Sequence, residues 1–113
     1  MGMQRSVKSS QRKVRILAIR IEGSTGTPSI EGLDAKKFTI VDTGTGHYTL
    51  TLTEPFAEAP HAVGNAEAVD KAVTLTTTAS TVVVKVNDID ETAALSDGDV
   101  QLIVIGHDIT DNY

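Results

Sequence analysis

Five carboxylates, Asp88, Asp90, Glu91, Asp97 and Asp99, crowd one short stretch of the chain, the density of hard oxygen ligands that a calcium ion needs. Their order departs from an EF-hand loop, because Thr92 stands at the third ligand position and Ala93 where the turn glycine belongs. A calcium loop and an ordinary solvated acidic loop both fit, and the departure favours the second. Acid-base catalysis on these residues would need an apolar pocket to drive two carboxyl pKa values apart, and the neighbouring sequence supplies none. The histidines, His47, His61 and His107, lie on three separate segments without a partner at ligand spacing, so no resident metal is expected. Gly44-Thr45-Gly46 opens like a dinucleotide fingerprint, but it lacks the third glycine and runs into a strand where phosphate cradling needs a helix N-terminus. Gly23 and Gly26 are not followed by Gly-Lys-Ser/Thr, which excludes a P-loop. There is no Gly-x-Ser-x-Gly elbow and no cysteine, hence neither that nucleophile nor a thiolate or disulfide framework. A non-enzymatic protein without a cofactor is expected.

The charges are more informative than any motif. Arg5, Lys8, Arg12, Lys13, Arg15 and Arg20 give residues 1–20 six cations and no acid. The remainder sets four lysines against all fifteen carboxylates. An acidic body thus carries a basic N-terminal arm, residues 1–13, too poor in apolar side chains to order itself. Its candidate partner-binding residues are Arg5, Lys8, Arg12, Lys13 and Arg15, laid as a tether over an acidic protein surface or, as weaker choices, over nucleic acid through non-specific phosphate contacts. The plain alternative is a solubilising tail. Sequence-specific nucleic-acid recognition is not expected, since no aromatic side chain is interleaved with the cations. No apolar run approaches the roughly 18–20 residues that span a bilayer, and the first twenty residues lack a signal-peptide core, so a chain made in the cytoplasm without a membrane partner is expected.

The elements that must position these residues are strands. Val14–Ile21 is dense in β-branched residues and apolar on both alternating faces, which predicts a strand buried on both sides. The turn formers of GSTGTPS end it at Gly23–Ser29. Phe38–Asp42 and Tyr48–Leu52 read as strands joined by Thr43-Gly44-Thr45-Gly46, with Tyr48, Leu50 and Leu52 inward and the threonines outward. Pro55 and Pro60 bracket a segment that cannot be helical and suits a corner between sheets. A short strand is expected near Ala62–Ala66. Lys71–Thr78 and Thr81–Asp88 form a hairpin about Ala79-Ser80, setting Val73, Leu75 and Thr77 against Val82, Val84 and Val86. Asp99–Ile105 closes the chain, again apolar on both faces. Short strands with turn signals between them and no helical period indicate an all-β, antiparallel β-sandwich, Ig-like or jelly-roll-like, over residues 14–113. Strands apolar on both faces are explained if the second face meets another subunit. With Phe38, Phe56 and Tyr48 at core-like positions, Tyr113 is the one aromatic left for a binding platform.

The stretch from Gly26 to Pro60, GTPSIEGLDAKKFTIVDTGTGHYTLTLTEPFAEAP, resembles a pattern in small β-sandwich proteins of tailed phages. There a Gly-Thr-Gly turn precedes Tyr-x-Leu-x-Leu and a Pro-Phe-Ala-x-x-Pro corner, and the closing Asp99-Val100-Gln101-Leu102-Ile103-Val104-Ile105-Gly106-His107-Asp108 is similar to the end of the same family. Such modules occur as capsid decoration or cement proteins, head fibres and tips of tail fibres. A single domain with a basic arm and no fibre shaft looks most like the first. The resemblance implies a structural virion protein on the outside of the phage head, a homo-oligomer, often a trimer, attached to the major capsid protein, with the five arm cations fastening it to an acidic shell. No catalytic residue carries over. The alternative is a fibre tip binding a host surface glycan, and a third possibility is a small calcium-dependent adhesion domain.

Overall fold

A computed structural model describes residues 12–24, 27–89 and 94–109, with the side chains of Arg12 and Ile109 excepted. Eight strands follow in chain order: β1 (Arg12–Glu22), β2 (Ser29–Glu31), β3 (Phe38–Gly44), β4 (His47–Leu52), β5 (His61–Ala66), β6 (Lys71–Thr77), β7 (Thr81–Asp88) and β8 (Val100–Ile109). They form two four-stranded sheets, ordered β2-β1-β8-β5 and β3-β4-β7-β6, and every pairing is antiparallel. The expected all-β sandwich is therefore the architecture. The chain's two outermost long strands, β1 and β8, meet at the centre of the first sheet, whereas the β3-β4 and β6-β7 hairpins stand side by side in the second.

Alternation explains the core. Leu17, Ile19 and Ile21 of β1 and Val100, Leu102 and Val104 of β8 face Tyr48, Leu50 and Leu52 of β4 and Val82, Val84 and Val86 of β7, and all are buried. Each such aliphatic side chain contributes about 1.5–3 kcal/mol on burial. Small branched residues dominate because two twisted sheets about 10 Å apart leave room for one layer of side chains from each. Phe38 and Phe56 complete the layer.

The hairpin register pairs Val73 with Val86, Leu75 with Val84 and Thr77 with Val82, as the alternation predicts. The segment between the prolines is the corner that carries the chain from β4 in one sheet to β5 in the other. Tight turning at the β3-β4 connection rests on Gly46, whose φ is +63° and whose Cβ position would lie 2.6 Å from the Ser96 carbonyl oxygen. Two features differ from expectation. Strand β1 starts at Arg12, two residues earlier than predicted and inside the presumed arm, because β8 runs on to Ile109 and supplies partners for Arg12 and Lys13. The three-residue strand β2 was also not legible, since edge pairing to Arg20–Glu22 is a tertiary event.

The predicted burial of β1 on both sides is corrected within a single chain, and the second apolar face of β8 is open as well. Val14, Ile16, Val63, Ile103 and Ile105 remain 40–62% exposed on the outer face of the first sheet. The second sheet turns Thr39, Thr49, Thr51, Thr74 and Thr76 outward instead.

Candidate functional site

The acidic loop is built into the sandwich by donors of its own chain. Asp97 Oδ1 accepts the Gly46 amide at 2.8 Å and the Tyr48 hydroxyl at 3.2 Å, tying the loop to the β3-β4 turn. Burial, aided by the neighbouring Asp97 carboxylate, pushes the Tyr48 hydroxyl up to about 12. Asp99 Oδ1 accepts the amides of Gly23 and Ser24 at 2.9 and 3.0 Å, and its second oxygen meets Arg20 Nη2 at 3.2 Å. Burial raises the Asp99 pKa, but the Ser24 and Gly23 amides and the Arg20 charge outweigh it and leave the carboxyl below its ordinary value. Asp88 holds Lys71 Nζ at 2.8 Å, and the same ammonium donates to Ser96 Oγ at 2.7 Å. These three carboxylates therefore point to three different places. Among the described residues no group of three or more His, Asp or Glu side chains is arranged to hold a metal ion. Asp90 and Glu91 lie outside the described residues.

Arg20 gathers the second charged cluster. Its guanidinium pairs with Glu31 at 2.6 Å, Asp99 at 3.2 Å, Glu22 at 3.3 Å and, through Nε, with Glu67. The hydrogen bond from Arg20 lowers the Glu31 pKa, and hydrogen bonds to Glu67 and Glu31 raise that of Arg20. One cation against four carboxylates leaves this end of the first sheet's outer face strongly acidic. Sequence reading placed Arg20 among the leader's cations but missed its role, because Glu31 and Glu67 reach it only through β2 pairing and the loop after β5.

The five arm cations are placed unequally. Arg5 and Lys8 lie outside the described residues. Arg12 and Lys13 open β1 opposite Ile109 and Asp108, and Lys13 is exposed. Arg15 is engaged within the fold: its guanidinium carbon lies 4.1 Å from the centre of the Phe56 ring, and Nη2 donates to the carbonyls of Glu54 and Pro55 and to Asp108 Oδ1, each at 3.0 Å. It clamps the proline corner to the β1-β8 ribbon. Beside it, His107 Nε2 lies 3.0 Å from Glu58 Oε1.

What the fold presents outward is the face of β2-β1-β8-β5. A shallow groove of about 590 Å³ runs over it, lined by Ala18, Leu33, Val63, Gly64 and Ile103 among others. Leu33 projects from the loop after β2 at 91% exposure, because Asp34 hooks that loop onto β1 by accepting the Ala18 amide at 2.8 Å. An apolar strip of this kind suits protein contact better than polar-ligand recognition, which needs convergent hydrogen-bonding groups. Comparison with protein-family models, with curated proteins and with solved structures finds no match to this chain in any of the three.

Proposed function

We propose that this chain is a non-enzymatic structural protein of a phage particle, a capsid decoration or cement protein that binds the major capsid protein on the outside of the head. One observation carries the reading. Asp88, Asp97 and Asp99, the described carboxylates of the acidic loop, are held by internal donors, while an apolar strip of Val14, Ile16, Val63, Ile103 and Ile105 stays exposed on the outer face of the first sheet. The molecule offers surface, and its polar groups serve its own rigidity. The motif resemblance over Gly26–Pro60 and Asp99–Asp108 supplies the particle context. With Arg15 engaged internally, attachment to an acidic shell falls to Arg5, Lys8, Arg12 and Lys13, which steer and orient the encounter while apolar area supplies most of the hold.

Cosedimentation of the purified chain with undecorated phage shells tests this. Saturable binding at a fixed number of copies per shell is expected, and the double variant Arg5→Ser/Lys8→Ser should bind about tenfold more weakly with an unchanged melting temperature. Absence of shell binding, with saturable binding to host envelope material instead, would replace this reading with the fibre-tip one.

A further inference from the structure

We propose that β1 is an open sheet edge at Val14 and Ile16, onto which a partner adds a strand, an extended segment that alternates apolar and acidic side chains. That the shell protein lends this strand rests on the decoration reading; the slot itself rests on the backbone of β1.

Strand β2 covers β1 only from Arg20 to Glu22. Next to it, Asp34 takes over: its carboxylate accepts the Ala18 amide at 2.8 Å, and its own amide donates to the Ala18 carbonyl at 3.3 Å. The backbone groups of Ala18 therefore point away from β8. In an antiparallel ribbon this direction alternates from residue to residue, so those of Ile16 and Val14 point the same way. The other strand of the ribbon agrees, because the carbonyl of His107, opposite Val14, accepts the Ala57 amide at 3.0 Å on the side away from β1. Among the described residues nothing bonds the outward amides and carbonyls of Val14 and Ile16, and both residues are 62% exposed. Two donors and two acceptors, already in strand geometry, are left for a neighbour.

Side chains decide which neighbour fits. The slot shows Val14 and Ile16 on its outer face and Lys13 and Arg15 on its inner face, in line with the buried Leu17. Residues directly across from these favour apolar against apolar and opposite charges, while like charges destabilise. Arg15 is held by Asp108, but Lys13 is exposed and has no ion pair among the described residues. A fitting strand thus sets apolar residues across from Val14 and Ile16 and a carboxylate across from Lys13. A second copy's β1 does not fit. Run antiparallel with Val14 bonded to Ile16 of the other copy, it sets Arg15 against Arg15; with Val14 against Val14, it sets Lys13 against Arg15. Inward-pointing charge keeps an edge from pairing with itself, and an acidic strand turns the same charge into attraction.

Amide exchange of the free 12.0 kDa chain, followed by NMR, should find Val14 and Ile16 open while Arg15 and Leu17, whose amides face β8, are protected. A synthetic peptide alternating valine with glutamate should bind saturably and protect the Val14 and Ile16 amides, and the same peptide with lysine for glutamate should not bind. Ile16→Pro removes one outward amide and should lose the peptide, whereas Ile16→Ala keeps the amide and should stay within about threefold of the native affinity. Both should keep their strand circular dichroism and cooperative melting. Lys13→Glu should weaken binding about tenfold without lowering the melting temperature. No binding of the glutamate peptide, equal binding of the lysine peptide, Val14 and Ile16 amides that stay open at saturation, or a folded Ile16→Pro that binds like Ile16→Ala would each overturn the proposal. If Ile16→Pro does not fold, amide protection and Lys13→Glu decide. Undecorated shells are read separately, so a chain that takes the glutamate peptide at this edge and ignores shells counts against the decoration reading and not against the slot.

Discussion

Tyr48 and Asp97 show how a polar pair can sit at the edge of an apolar layer without weakening it. The ring is fully buried between the sheets, and its hydroxyl donates to Asp97, whose same oxygen also accepts the Gly46 amide. Removing the carboxylate strands the Gly46 amide and leaves the Tyr48 hydroxyl only a long contact of 3.5 Å to the Gly23 carbonyl, and a buried unsatisfied donor costs more than a lost hydrogen bond. Asp97→Ala should therefore destabilise the fold by about 2 kcal/mol and Tyr48→Phe by about 1 kcal/mol. The double variant should lose less than the sum, because both changes delete one shared bond, and urea denaturation of the four proteins measures the difference. The inward position of Tyr48 was legible from the alternation of Tyr48-Thr49-Leu50-Thr51-Leu52. Its partner was not, since Asp97 is 49 residues away and looks in sequence like one more ligand in an acidic loop.

The β1-β8 ribbon and the proline corner behave as one mechanical unit. Arg15 and Gly106 are opposite each other across the ribbon and both meet the Phe56 ring, Arg15 by stacking and Gly106 by leaving space for it. A Cβ at residue 106 would lie 2.5 Å from a ring carbon. Gly106→Ala should accordingly cost about 1–3 kcal/mol through forced displacement of Phe56, seen as a lower melting temperature with an unchanged strand spectrum. The corner itself followed from Pro55 and Pro60, which exclude a helix locally. That Arg15 would clamp it could not be read from the leader, where it looks like one cation among six. The hairpin β6-β7 is the opposite case, its register written by two alternating runs and a two-residue connection.

Across the whole molecule, charge is sorted by position and linked to stability. Glu31 and Asp99 have pKa values lowered in the fold, so each favours the folded state fully above its unfolded value, 4.5 for Glu31 and 3.8 for Asp99. That contribution is lost as the pH falls from there through the folded values. Tyr48 has the opposite sense: raised from 10.0 to about 12, it penalises the folded state once the unfolded chain begins to ionise. The melting temperature should hold steady between about pH 5 and 9, fall below about pH 4.5 and fall again between about pH 10 and 12. Tyr48→Phe should lessen the alkaline fall and leave the acid one in place. Calorimetry across that range checks both limbs.

The positions of seven of the eight described strands, the inward alternation, the corner and the split between a cationic leader and an acidic body were determined by the sequence itself, because each follows from neighbours a few residues apart. Which strands share a sheet, that Arg20 collects four carboxylates, that the acidic loop serves as a set of staples, and that the second apolar face of β1 and β8 remains open were decided only by the tertiary structure. The physical reason is that alternation tells a side chain which face it occupies but not what lies opposite that face. Only the closing of two sheets over one core chooses between Leu17 and Ile16, burying the first and presenting the second.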